Sequence, residues 1–190
     1  MSQPKAIYAS IPPVRGGGAE WIGTQPVVVA NPYPFWPNLE WTGDNIGVLP
    51  ITEYTEVPQY LWLQPVADPV NTVTGIFTRR WTGTWCHGGF TPRAIEEDRY
   101  DIIIYIAADD QYLLSLRRNG AELQPSGFNA NVPIKLPWRN VKVYEYEGIC
   151  INCRTILELQ TEVTNIGQGP GALPDNNPAM FTWVMLLVED

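Results

Sequence analysis

The sequence predicts an all-β protein built as a β-sandwich, and three observations support this class. The 190 residues include 18 Pro and 16 Gly spread along the chain, which leaves little room for long helices and suits short strands joined by turns. From about residue 73 onward, apolar stretches of strand length recur between turn residues. The helical period fits poorly throughout the chain.

The first part of the chain differs from the rest. The segment Asn31–Asn45 (NPYPFWPNLEWTGDN) is rich in proline and aromatic residues, and each proline removes a donor from a strand ladder. Its aromatic side chains carry too much apolar area to be left in water. We therefore expect an N-terminal arm or extended loops over residues 1–70, packed on the same domain or on a neighbouring subunit. Residues 71–190 are expected to form the sandwich domain.

Six strands are predicted in this second part. Two of them are continuously apolar, as strands buried on both faces are, whereas Thr155–Asn165 alternates between apolar and polar residues and predicts a half-buried strand. In chain order the predicted strands are Val73–Trp81, Asp101–Ala108, Tyr112–Leu116, Val141–Glu147, Thr155–Asn165 and Phe181–Val188.

Asp109 and Asp110 lie between two of these strands and raise the question of catalysis. Asp favours such corners because its side chain bonds nearby backbone amides, and Asn119-Gly120 further on is a strong signal for a tight hairpin turn. Adjacent residues of an extended chain point to opposite faces, whereas the two carboxylates of a glycosidase come from separate elements about 5–10 Å apart. We expect a turn, with a hydrolase using Asp109 or Asp110 as the alternative.

In several of these segments the chain resembles galactose-binding-domain-like modules, the jelly-roll β-sandwiches of many carbohydrate-binding and extracellular proteins. The resemblance covers about residues 73–190, and the Pro-rich stretch between Asn31 and Asp68 departs from it as an insertion would. It is carried by IIIYIAADDQYLLSLRRNG (Ile102–Gly120), ILELQTEVTNIG (Ile156–Gly167) and NPAMFTWVMLLVED (Asn177–Asp190), with AEWIG (Ala19–Gly23) and GIFTRRW (Gly75–Trp81) upstream.

The resemblance implies a jelly-roll fold, and such modules often hold a structural calcium ion. The sequence has no DxDxDG-like loop, so a calcium site would need backbone oxygens and scattered acids. We predict no cofactor, with structural calcium as an open alternative and no residues assigned to a metal.

Three tryptophans are candidates for binding a glycan, because sugar rings stack their C–H faces on aromatic rings. They are Trp81, Trp85 and Trp138. The alternative, which the high tryptophan content favours, is that these rings fill the core or a subunit interface.

The sequence offers little support for catalysis. His87 is the only histidine, and no GxSxG, HExxH or P-loop motif occurs, so we predict that the protein is not an enzyme. Cys86, Cys150 and Cys153 could join His87 in a zinc site or form a disulfide, but free, partly buried thiols are the simplest expectation.

Charge and targeting signals narrow the class of partner. A net charge of −8 disfavours nucleic acid and anionic membranes, and the N-terminus has no secretory signal, so the chain is expected to be made in the cytosol and to work in a virion or another extracellular particle. The predicted function is a non-catalytic structural or binding subunit of an extracellular assembly, and a bacteriophage virion (tail, baseplate or capsid decoration) is the assembly that fits best. Its expected partners are copies of itself or other subunits. The alternative is a carbohydrate-binding module that recognises a surface glycan.

Overall fold

The computed structural model describes residues 4–9, 19–29, 61–63, 68–82, 98–108, 110–126, 134–135, 142–173 and 179–189. These ranges contain twelve strands, and within them no helix is long and apolar enough to cross a membrane. The strands are β1 (Pro4–Ala9), β2 (Ala19–Ile22), β3 (Val27–Val28), β4 (Leu61–Trp62), β5 (Val73–Thr82), β6 (Asp98–Ala108), β7 (Gln111–Arg118), β8 (Ala121–Glu122), β9 (Ile134–Lys135), β10 (Lys142–Ile151), β11 (Ile156–Asn165) and β12 (Phe181–Glu189).

The strands form two antiparallel sheets that pack face to face. Sheet A has the order β10-β6-β12-β4-β3, and β1 also pairs with β12. Sheet B has the order β2-β5-β11-β7-β8, and β9 also pairs with β7. The six long strands β5, β6, β7, β10, β11 and β12 alternate between the sheets along the chain. The predicted all-β sandwich is confirmed.

The six predicted strands all form, most of them a few residues longer than their sequence signals. The largest extension is in β10, which ends at Ile151 and not at Glu147, and β6 begins at Asp98 and not at Asp101. The predicted turn at Asn119-Gly120 is confirmed too, because both residues have positive φ (50° and 81°) and Arg118 pairs with Ala121 across it. The alternation predicted for β11 is observed, since Leu157, Leu159, Thr161 and Val163 are all buried.

The core between the sheets is unusually aromatic. Phe77 of sheet B and Phe181 of sheet A are fully buried, with ring centroids 4.6 Å apart. Trp81 and Trp183 form a second pair across the sheets, edge to face at 5.8 Å. Aromatic pairs at these distances contribute about 0.5–1.5 kcal/mol beyond the area that they bury. These contacts hold the sheets in register with each other.

The outer faces of the two sheets differ. In sheet A, β12 is buried on both sides: Phe181, Trp183 and Met185 face the core, and Val184 and Leu186 between them are also fully buried. In sheet B the outward positions are half-buried or exposed, including Ile76 at 47% exposure. Sheet B therefore presents a broad face to solvent.

The first 70 residues supply strands to both sheets. β1 pairs along β12 in sheet A, and β2 pairs along β5 in sheet B. β4 contacts β12 at a single position, Leu61 opposite Phe181, and β3 lies beside β4. The Pro-rich segment Asn31–Asn45, on which the prediction of an arm depends, lies outside the described residues, so that prediction stays a prediction.

Candidate binding surface

The most organised group of polar side chains in the described structure crosses the outer face of sheet B. Strand register places Glu20 of β2 opposite Arg80 of β5, Arg80 opposite Glu158 of β11, and Glu158 opposite Arg117 of β7. Their neighbours along each strand point into the core, so all four side chains point outward. We call these four residues the charged row.

Within the charged row the central pair is the tightest. Arg80 donates through Nε to Oε1 of Glu158 at 2.8 Å, and its Nη2 lies 2.6 Å from the same oxygen. Glu20 lies 3.7 Å from Arg80 and is more open to solvent, with 60% of its side chain exposed against 17% for Glu158. Arg117 donates to Oε1 of Gln160 at 3.0 Å. Ion pairs on a surface contribute at most about 1 kcal/mol each to stability, so this row leaves charge available to a partner.

The rows beside the charged row mix apolar and polar side chains, and Glu162 among them carries a charge. The register aligns Ile22, Thr78, Gln160 and Ser115 in the next row, and Ile76, Glu162 and Leu113 in the row after it. A hydrogen bond of 2.8 Å joins the hydroxyls of Thr74 and Thr164 farther along. The face therefore combines paired charges, hydrogen-bonding groups and exposed aliphatic carbon, as protein interfaces do.

At one end of the sandwich, two aspartates accept hydrogen bonds from backbone amides. Asp68 accepts from the amides of Val70 and Asn71 through Oδ1 and from Nδ2 of Asn71 through Oδ2, and these bonds lower its pKa, with the Asn71 side chain first among them. Asp110, at φ 40°, accepts from the amide of Ile166 at 2.6 Å. Burial raises the pKa of Asp110, although the Ile166 amide opposes this. Asp68 thus stabilises the turn that follows it, and Asp110 joins the corner after β6 to the chain after β11.

For Asp110, this arrangement agrees with the predicted turn. Asp110 holds the chain after β11, as the predicted corner requires. Asp109 lies outside the described residues, and the hydrolase alternative has no further support from Asp110.

Structural calcium stays an open alternative, and the described residues give it no assigned ligands. Calcium takes six to eight oxygen ligands. The Asp68 oxygens are both bonded to Val70 and Asn71, and Asp68 O accepts from Nδ2 of Asn165 at 3.1 Å. No group of three or more His, Cys, Asp or Glu residues suited to a metal occurs within the described ranges.

Tyrosines provide some of the buried polar groups of the core. The hydroxyls of Tyr112 and Tyr144 lie 3.0 Å apart and join β7 of sheet B to β10 of sheet A. Burial raises the pKa of both residues and of Tyr146, so all three stay neutral well above the usual range for tyrosine. The Tyr112–Tyr144 pair therefore links the two sheets inside the core as neutral hydroxyls.

The three tryptophans proposed for glycan binding have different outcomes. Trp81 is fully buried between Tyr8, at 5.4 Å, and Trp183. It offers no ring face to a sugar and is corrected to a core residue, which is the alternative that the composition favoured. Trp85 and Trp138 lie outside the described residues, as does His87, and their roles stay predictions.

The cysteines also correct the expectation of three free thiols. Cys150 is a free, half-buried thiol, but Cys153 is disulfide-bonded. A sulfur in a disulfide is not a thiolate ligand, so the zinc site predicted as an alternative loses Cys153. Cys86 lies outside the described residues.

The chain matches no protein-family model, no curated protein and no solved structure. The functional proposal therefore rests on the surface described above. The charged row is not predictable from the sequence, because it depends on register between four strands. The available signal was the charge at outward positions of β5, β7 and β11, but the sequence does not show which of these positions are opposite one another.

The position of Asp110 predicts a specific dependence of stability on pH. A raised folded-state pKa means that the free energy of unfolding falls as pH rises from the ordinary pKa through the folded one. Asp110→Asn keeps an oxygen for the Ile166 amide and tolerates positive φ, so we expect it to be at least as stable as the parent at pH 7. Any gain in the free energy of unfolding over the parent should shrink toward pH 3. Urea unfolding at several pH values measures this.

Asp110→Ala is the control for this experiment. It removes the acceptor and places alanine at a positive φ that alanine disfavours, so it should lower the free energy of unfolding by about 2–3 kcal/mol at both ends of the pH range. A large loss of stability in Asp110→Asn at pH 7 that disappears at pH 3 would show instead that the charged carboxylate is the stabilising form.

The two described cysteines should respond differently to substitution. Cys153→Ser removes the disulfide and is expected to lower the free energy of unfolding by about 2–4 kcal/mol under oxidising conditions. Cys150→Ser replaces a free thiol and is the matched control, with a change below about 1 kcal/mol. Chemical denaturation with and without reductant measures both, and alkylation of Cys153 in the unreduced protein would contradict the assignment.

Proposed function

We propose that this protein is a non-catalytic structural and binding subunit of an extracellular assembly, of the kind found in a bacteriophage virion as part of the tail, baseplate or capsid decoration. The contrast between the two sheets is the observation that supports this most. The outer face of sheet A is buried along β12, whereas sheet B presents a wide face with ordered charges. The outer face of sheet B is therefore the surface available to a partner.

The composition of that face favours a protein partner. Interfaces between subunits are about as apolar as ordinary surface and carry roughly one hydrogen bond per 100–200 Å². Sheet B presents aliphatic carbon at the exposed Ile76 and the half-buried Ile22 beside the paired charges of Arg80 and Glu158. Such a surface is soluble alone and still able to bind a subunit that matches its charges.

The disulfide at Cys153 supports an oxidising working environment. Disulfides persist in extracellular proteins and on the surfaces of virions, and they are rare where thiols are kept reduced. The bond at Cys153 fits a chain that is made in the cytosol and works outside it.

The finer fold assignment, a galactose-binding-like jelly roll, belongs to the same proposal. Three features of the structure support it: the long strands alternate between the sheets, Asp110 forms the corner after β6, and Asn119-Gly120 forms the hairpin turn. All three occur in the segments that carry the resemblance.

A carbohydrate-binding module is the second candidate. The open face of sheet B carries planar polar side chains, including Arg117 bonded to Gln160, that suit the vicinal hydroxyls of a sugar. In this alternative Trp85 or Trp138 would supply the stacking ring in place of the buried Trp81.

Light scattering on the full chain tests the proposal. Measured from micromolar to near-millimolar protein under oxidising conditions, the mass should rise to that of a defined oligomer. Tryptophan fluorescence is recorded on the same samples with a panel of bacterial polysaccharides, and we expect no saturable quenching.

The contrary result is equally distinct. A mass of one chain at every concentration, together with saturable quenching by one polysaccharide, would overturn the assembly proposal in favour of the carbohydrate-binding module.

A further inference from the structure

We infer that Cys86 is the disulfide partner of Cys153, and that their bond is an oxidation-dependent cross-link between the two chain connections at one end of the sandwich. The inference goes beyond the proposed function and does not depend on it. It is carried by the state of the cysteines and by the register of the strands on either side of them.

The number of cysteines leaves one partner for Cys153 within the chain. The sequence has three cysteines, Cys86, Cys150 and Cys153. Cys153 is disulfide-bonded, whereas Cys150 is a free thiol. Cys86 lies outside the described residues, and it is the remaining cysteine with which Cys153 can pair.

Strand register brings the ends of two connections between the sheets together. In sheet B, Thr82 at the end of β5 is opposite Ile156 at the start of β11. In sheet A, Asp98 at the start of β6 is opposite Ile151 at the end of β10. The connection from β5 to β6 and the connection from β10 to β11 therefore begin and end at paired positions of the two sheets.

The positions of the two cysteines in these connections suit a disulfide. Cys86 is four residues after Thr82, and Cys153 is three residues before Ile156. If the antiparallel register at Thr82 is continued, Cys153 is opposite Trp85, the neighbour of Cys86. Paired Cα atoms in such a ladder are about 4.5–5.5 Å apart, and a disulfide needs about 4.4–6.8 Å between Cα atoms. The register therefore brings Cys86 within reach of Cys153.

The turn that carries Cys153 is held by its own hydrogen bonds. Asn152 accepts from the amide of Arg154 through Oδ1 at 2.9 Å, and its carbonyl accepts from the amide of Thr155 at 2.9 Å. Oγ1 of Thr155 accepts from the amide of Asn152 at 2.9 Å. This turn does not need the disulfide to form. The cross-link instead joins the longer connection, from β5 to β6, to a turn that is already fixed.

The position of Cys150 separates it from this bond. It lies within β10, opposite Arg99, and its carbonyl accepts from Nη1 of Arg118 at 2.9 Å. Cα atoms three residues apart in an extended strand are separated by about 10 Å, so a bond from Cys150 to Cys153 would require the end of β10 to leave the sheet. The CxxC motif is therefore divided between a free thiol and a disulfide to another part of the chain.

Formation of the cross-link needs a two-electron oxidant, for which a small-molecule disulfide such as oxidised glutathione is sufficient. One cysteine thiolate attacks this disulfide and forms a mixed disulfide, with release of one small thiol. The other cysteine thiolate then attacks the mixed disulfide and releases the second small thiol. The two cysteines lose two protons and two electrons, and the small disulfide is reduced to two thiols. Since the cytosol keeps thiols reduced, the cross-link closes when the chain enters an oxidising compartment.

Disulfide mapping by mass spectrometry tests the pairing on the full chain. The protein is oxidised with glutathione disulfide, alkylated without reduction and digested. We expect one cross-linked pair of peptides that contains Cys86 and Cys153, in a protein with the mass of one chain, and an alkylated Cys150. A bond between Cys150 and Cys153, or a bond through Cys153 to a second chain, would overturn the inference.

Serine variants test the effect of the cross-link on stability. Cys86→Ser and Cys153→Ser remove the same bond, so under oxidising conditions each should lower the urea midpoint of unfolding by about 1–2 M. The double variant should lose no more than either single variant, because the bond is already absent. Cys150→Ser is the matched control and should change the midpoint by less than about 0.5 M. The parent in reductant should unfold at the midpoint of the variants.

The contrary results are distinct. A parent midpoint in Cys86→Ser together with a lowered midpoint in Cys153→Ser would show that Cys86 is not the partner. Losses that add in the double variant would show that the two cysteines act separately. A parent midpoint that does not change with reductant would show that no cross-link stabilises the fold.

Discussion

The burial of β12 on both of its faces is the constraint on which the rest of the structure depends. One face packs Phe181 and Trp183 against Phe77 and Trp81 of sheet B, and the other buries Val184 and Leu186. A strand covered on both sides must pair along both edges, because unpaired backbone groups away from water are costly. β6 supplies one edge, and β1 with β4 supplies the other.

This constraint explains the asymmetry of the molecule. Sheet A uses both faces to bury its central strand, so it exposes little surface to a partner along β12. Sheet B buries one face only, and its outward positions are free to carry charges in register. The function that we propose follows from this division, because an assembly subunit needs one stable side and one side on which it can be recognised.

Much of the fold follows from local sequence, and the functional surface does not. Apolar runs at strand length predicted β6 and β12, and positive-φ residues predicted the turn at Asn119-Gly120. Arg79 shows the limit: alternation puts it on the inner face, yet buried charge is costly, and only the fold brings its guanidinium 5.2 Å from the ring of Trp21. Likewise the charged row requires the register of four strands that are far apart in sequence.

Hydroxyl-radical footprinting with mass spectrometry tests the contrast between the two faces most directly. We expect Ile76 and Leu113 on sheet B to be oxidised readily in dilute protein and to be protected as the concentration rises. Val184 and Leu186 on sheet A, which are the same kind of side chain, should be protected at every concentration. Equal oxidation of the two pairs in dilute protein would contradict the account, because it would mean that both faces of the sandwich are open.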